Sequence, residues 1–180
     1  MNKMLTALAL VLLLSTGSCT LIPTKAPTPL TLPYPLYEQE YRGNQVTITL
    51  RTMADGPASY EFLVTANTAA GQTKFGVYII TVELPEGYQP GTAVDWIERI
   101  GDRTGTGGVW EGEGESLGAQ ALTSSSAFGL GGAADSPVAV FVRIVSADPD
   151  DPNTISEQTF GPVAVLQILP DGQGVVRLDP

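Results

Sequence analysis

Histidine is missing from all 180 residues, and cysteine occurs once, at position 19. Without imidazole the chain lacks the usual general base near neutral pH and the commonest metal ligand, which excludes Ser-His-Asp triads, Cys-His pairs and histidine zinc sites. A lone cysteine forms no intramolecular disulfide, so an apolar core has to hold the fold. Basic residues are scarce as well, 9 against 19 acidic ones, for a formal net charge of -10. That balance argues against nucleic acid and against electrostatic attachment to anionic lipid, and it favours cations or a basic partner. The longest apolar run falls short of the roughly 20 residues that a spanning helix needs.

That run opens the chain. Lys3 is followed by ten residues, Leu5 to Leu14, in which only Thr6 is polar, and then by the small residues Ser15, Thr16, Gly17 and Ser18 before Cys19. A positive start, a short apolar stretch and a small-residue site make an export signal with a cleavage point. Thr16-Gly17-Ser18-Cys19 resembles the lipobox of bacterial lipoproteins, although the family's usual Leu three residues before the cysteine is replaced by Thr16. The resemblance implies cleavage before Cys19 and acylation of its thiol, with residues 1–18 as the signal peptide. Two or three acyl chains anchor firmly where one does not, since each buried methylene contributes about 0.8 kcal/mol. Thr20, which is not Asp, implies transfer to an outer membrane if the envelope has one. Loss of Lys3 leaves 8 basic and 19 acidic residues, a net charge of -11.

Residues 19–36 read as a lipidated cysteine and a Pro/Thr-rich tether, with Pro23, Pro27, Pro29, Pro33 and Pro35 holding it extended. Leucines and Tyr34 offer a way for residues 30–36 to dock along the domain edge. The folded domain is expected over residues 37–180. Val46, Ile48 and Leu50 alternate with polar neighbours in one strand, and Tyr60, Phe62 and Val64 do so in a second, adjacent one. Residues 74–84 carry apolar side chains on both faces and read as a central strand covered on both sides. Residues 93–100 are ambiguous: Thr92 and Gly101 suit the caps of a short helix, while the alternation favours a short strand or a single turn. Residues 117–137 are small and flexible in composition, with one strand expected near 127–130. Residues 137–146 and 160–169 are strands, and the Asp171-Gly172-Gln173-Gly174 turn pairs the latter with 175–178 in a hairpin.

About seven to nine strands and no long helix predict an all-β fold, an antiparallel Ig-like β-sandwich, with a small closed barrel as the alternative. Leu84-Pro85-Glu86-Gly87-Tyr88 resembles the Leu-Pro-x-Gly-aromatic step that ends a strand in Ig-like modules of bacterial surface proteins.

Three groups of residues are candidates for chemistry. Asp148, Asp150, Asp151 and Asn153, with Glu157 after them, offer oxygen ligands of the kind calcium takes, yet Pro152 and the missing glycine depart from an EF-hand loop. An acidic proline turn in a hairpin is the simpler reading. Glu111, Glu113 and Glu115 share one strand face, where two carboxylates suit glycoside hydrolysis and three suit a charged edge kept soluble. Trp110, with Glu111 and Glu113, is the candidate ligand surface; Trp96, Tyr60 and Tyr88 are further members of a sugar-stacking platform or, equally, core aromatics. Ser-Lys catalysis has only Lys25 and Lys74 to draw on, at no recognisable spacing from Ser59 or Ser124-Ser125-Ser126.

The expected function is therefore a lipid-anchored envelope protein presenting a non-enzymatic interaction or structural module to an envelope protein or glycan partner. A carbohydrate-binding module is the alternative and a carboxylate glycosidase a more distant one. No cofactor is implied.

Overall fold

In the computed structural model, residues 28–178 are described except for 54–59, 69–73, 86, 104, 112–120, 129–135, 149, 152 and 173. The alternation of the first predicted strands sets the first sheet. In β2 (Asn44–Thr52) and β3 (Tyr60–Asn67) every second side chain is buried, and the register places Val46 opposite Ala66, Ile48 opposite Val64 and Leu50 opposite Phe62. One face of each strand is thus apolar throughout. A one-residue slip would put that whole face into water, so the pairing is strongly specified.

Before β2 comes a strand that the prolines concealed, β1 (Tyr34–Tyr41), paired antiparallel with β2. Arg42 and Gly43 form the two-residue connection, both with positive φ (50° and 76°), the conformation that matches the twist of a tight hairpin. The Asn44 side chain closes the turn by donating to the Tyr41 and Arg42 carbonyls at 3.0 and 3.2 Å. A register irregularity between Pro35 and Tyr37 lets the consecutive Leu36 and Tyr37 both turn inward. Burying two such side chains contributes about 1.5–3 kcal/mol each, whereas the ladder donor that Pro35 lacks is worth about 1 kcal/mol. Packing therefore overrides the proline signal.

The packed chain begins earlier than the predicted boundary at residue 37. Pro29 bridges Val176, and the Leu30 N–H donates to the Val175 carbonyl at 2.7 Å. The later part of the expected tether, residues 28–36, is thus a strap along one sheet followed by an edge strand of the other.

The second sheet has the order β5-β4-β7-β8-β9, formed by β4 (Lys74–Glu83), β5 (Thr106–Glu111), β7 (Val138–Ala147), β8 (Ile155–Ile168) and β9 (Val175–Leu178). The first has the order β1-β2-β3-β6, completed by β6 (Ala121–Phe128). All neighbours are antiparallel. β6 corrects the expectation of a strand near 127–130: it is longer and earlier, and pairs with all of β3 from Tyr60 opposite Phe128 to Asn67 opposite Ala121.

The two sheets enclose one core. Val46, Ile48, Leu50, Phe62 and Val64 from the first meet Phe75, Val77, Ile79, Val140, Val142, Ile144 and Leu166 from the second. A second cluster lies on the far face of the second sheet, where Ile80, Val82, Phe141 and Val165 are joined by Leu84 and Tyr88. Its cover is α1 (Trp96–Ile100), a helix where the alternation favoured a strand. Asp95, rather than Thr92, is the N-cap: its carboxylate accepts from the Glu98 N–H at 3.1 Å, and Gly101 closes the other end by donating to the Ile97 carbonyl. Trp96 and Ile100, four apart, share the helix face that packs on this cluster.

Candidate functional site

Cys19, the export signal and the start of the tether lie outside the described residues. Among the described residues no helix is long and apolar enough to cross a membrane. The strap enters beside the β8–β9 turn, where the short 3-10 helix η1 (Pro170–Gly172) sits and where Tyr60 donates from its hydroxyl to the Gly172 carbonyl at 3.2 Å. At the opposite end of the sandwich lie the Arg42-Gly43 turn and the acidic loop between β7 and β8. Arg42 and Asp148 approach to 4.0 Å there, across the two sheets.

In that loop the carboxylates are engaged in building the turn. Asp148 accepts from the Asp150 N–H at 2.9 Å, and Asp151 accepts from the Asn153 N–H at 3.2 Å and from the Thr154 hydroxyl at 2.7 Å. These bonds hold the Asp151 carboxyl below the usual carboxylate range, the Thr154 hydroxyl foremost. Among the described residues no three His, Cys, Asp or Glu side chains gather where they would hold a metal ion. The four calcium candidates, Asp148, Asp150, Asp151 and Asn153, are thus neighbours in sequence that do not converge on a common point.

Trp110 and Glu111 belong to β5, where Trp110 pairs with Phe75 and Glu111 with Lys74. Glu113 and Glu115 lie outside the described residues, as do Lys25 and Ser59. Ser124, Ser125 and Ser126 run along β6 in the first sheet, while Lys74 starts β4 in the second.

The other aromatic candidates are packing residues. Tyr60 is buried between the sheets, and burial raises its phenol pKa. Tyr88 packs on the outer cluster, and Trp96 meets Phe141 there. Leu84 and Tyr88 reach that cluster together because the Tyr88 N–H donates to the Pro85 carbonyl at 3.1 Å and Gly87, at φ 75°, completes the turn between them.

The described residues also line several surface depressions. A cleft of about 350 Å³ borders α1, with Tyr88, Val94, Asp95 and Arg99 in its wall. A hollow of about 300 Å³ on the outer face of the second sheet is lined by Lys74, Tyr78, Arg143, Val145, Ile155 and Glu157. Arg143 Nε donates to the Thr159 hydroxyl at 3.3 Å and forms an ion pair with the Glu157 carboxylate at 3.1 Å, so the hollow sets charged and polar groups beside a half-buried tyrosine and the exposed Ile155. Another, about 450 Å³, runs between β1 and β8, with Leu36, Tyr37, Gln39, Phe160, Pro162 and Val163 along it. Phe160 fills its floor, 6.0 Å from the Tyr37 ring and 5.9 Å from that of Tyr41.

Tyr37, Tyr78 and Arg143 were not singled out from the sequence. Tyr78 and Arg143 carried a signal: both lie on the face of their strands opposite the regular Val/Ile series. Tyr37 carried none, because the irregularity that turns it inward arises only on pairing. Comparison of the chain with family models, curated proteins and solved structures finds no match among any of them.

Proposed function

We propose that the protein is an exported lipoprotein, acylated on Cys19 and held at the cell envelope, that presents an Ig-like sandwich as a non-enzymatic interaction or structural module. The observation that carries this is the single cysteine, placed directly after Thr16-Gly17-Ser18 at the end of a short apolar run. Two features of the fold support the arrangement. The strap at Pro29 and Leu30 ties the chain to one end of the sandwich, so a lipid anchor ahead of it leaves the Arg42 turn and the acidic loop at the far end, away from the membrane. With its one cysteine acylated the chain has no disulfide to draw on, and an apolar core from both sheets holds the described residues together. Fractionation of cells producing the wild type and Cys19→Ala tests the reading. The wild type should sediment with membranes and dissolve only in detergent, and the variant should be released; a variant that stays in the membrane fraction overturns it.

A second reading, a carbohydrate-binding module, is favoured by the hollow at Tyr78. A sugar ring stacked on the phenol would find the Arg143–Glu157 pair within reach of its hydroxyls. Retention on cell-wall polysaccharide that is lost in Tyr78→Ala supports it; no retention by the wild type removes it.

A further inference from the structure

The open side of the sandwich, between β1 and β8, treats its strand edges unequally. β9 is covered by the strap, through Pro29 opposite Val176 and the Leu30–Val175 bond. β8 extends well beyond β9, which pairs only with Val165 to Ile168, but its free stretch is interrupted by Gly161, at φ 125°, and by Pro162, which has no N–H to offer. β1 carries neither device from Leu36 to Tyr41: among the described residues its only sheet neighbour is β2, and the last proline of the strand is Pro35. Six consecutive residues thus form a strand edge beside a groove of about 450 Å³.

The groove holds an unmet polar group. Tyr37 lines it, is only 7% exposed, and its hydroxyl has no hydrogen-bond partner. An unpaired buried hydroxyl is a standing cost to the fold. The charges beside it select what enters. Glu38 and Glu40 are exposed on this edge, in a chain with net charge -10. A second copy pairing antiparallel about Gln39 would set Glu38 opposite Glu40 twice, and like charges directly opposite repel. A strand bearing lysine or arginine at those positions is attracted instead.

We infer that the β1 edge receives an extended, basic segment of a partner protein, which adds as a fifth strand to the first sheet and covers the groove beside it. Main-chain pairing supplies the affinity, and the groove and the two glutamates supply the selection. The inference rests on the reading of the domain as an interaction module and names its partner class. It is independent of acylation, since the lipid on Cys19 is read by a different mass.

A photoreactive benzophenone residue placed at position 39 of the full-length chain, with position 97 on exposed Ile97 as control, tests it in intact envelopes. Irradiation should join position 39, and not 97, to one stretch of another protein, mapped by mass spectrometry to alternating residues that include lysine or arginine. The double variant Glu38→Lys/Glu40→Lys should lower that yield about tenfold, through loss of cross-strand charge pairs. Tyr37→Phe, which removes only a buried hydroxyl, should leave the crosslink yield at position 39 unchanged. A crosslink no stronger at 39 than at 97, a crosslink to a second copy, or a mapped stretch that is acidic or indifferent to the charge reversal overturns the inference.

Discussion

The Trp96 indole meets the Phe141 ring edge-on, with 5.5 Å between ring centroids and 63° between planes. Through this contact a helix of five residues seals the outer face of the second sheet, where Phe141 is buried in the strand β7 and Trp96 lies half-buried above it. Trp96→Ala should destabilise the protein by roughly 2 kcal/mol, less than the 3–5 typical of a fully buried tryptophan. A double-mutant cycle with Phe141→Leu should return a coupling of about 0.5–1.5 kcal/mol. Urea unfolding of the four proteins measures both; zero coupling would show that the helix is held by other contacts.

Asp151 makes acidity a probe of the far-end loop. Its carboxyl is held below the usual range in the folded state, so its contribution is present above the unfolded pKa and is lost as pH falls through the lowered folded value. The drop in urea midpoint on going from neutral pH to below about pH 4 should therefore be smaller in Asp151→Asn than in wild type. Addition of calcium to about 1 mM, the affinity range of extracellular calcium modules, should leave the wild-type melting temperature unchanged, since these carboxylates are already turn acceptors.

Tyr60 joins the sheets at the strap end by its bond to the Gly172 carbonyl. Tyr60→Phe should cost about 1 kcal/mol, the net worth of such a bond. Burial raises the pKa of Tyr60 and of Tyr37, which favours the neutral phenols in the fold. Their contribution is complete below the unfolded phenol pKa of about 10 and is lost as pH rises above it. Stability followed by circular dichroism should fall on that alkaline limb, and less steeply in Tyr60→Phe.

Alternation made most of the sandwich legible. Strands β2, β3, β4, β7 and β9 and the part of β8 from residue 160 follow from Val, Ile and Phe at every second position, whereas residues 155–159 of β8 do not, and the pairing of β2 with β3 and of β8 with β9 follows from the turns between them. What escaped had other causes. β1 was hidden by Pro33, Pro35 and three polar residues at 38–40, and it forms because Leu36 and Tyr37 find the core. β6 was hidden by its run of serines, and its strand character comes from the full register with β3. α1 is too short for periodicity to settle, and the Asp95 cap decides it.

The candidate sites were harder to read than the fold. Tyr60, Tyr88 and Trp96 are as aromatic as any binding residue, and only the packing shows that they serve the two apolar clusters. The depressions that remain are lined by side chains brought together from different strands, Tyr78 with Arg143 and Tyr37 with Phe160. No local pattern in the sequence records those meetings.

The central claim is the acylated anchor, and the intact mass of the protein's N-terminal peptide, taken from detergent-extracted membranes, tests it most directly. The account predicts a peptide that begins at Cys19 and carries a diacylglyceryl group, with or without a third chain on its amino group. A peptide beginning at any other residue, or at Cys19 with a free thiol, would contradict it.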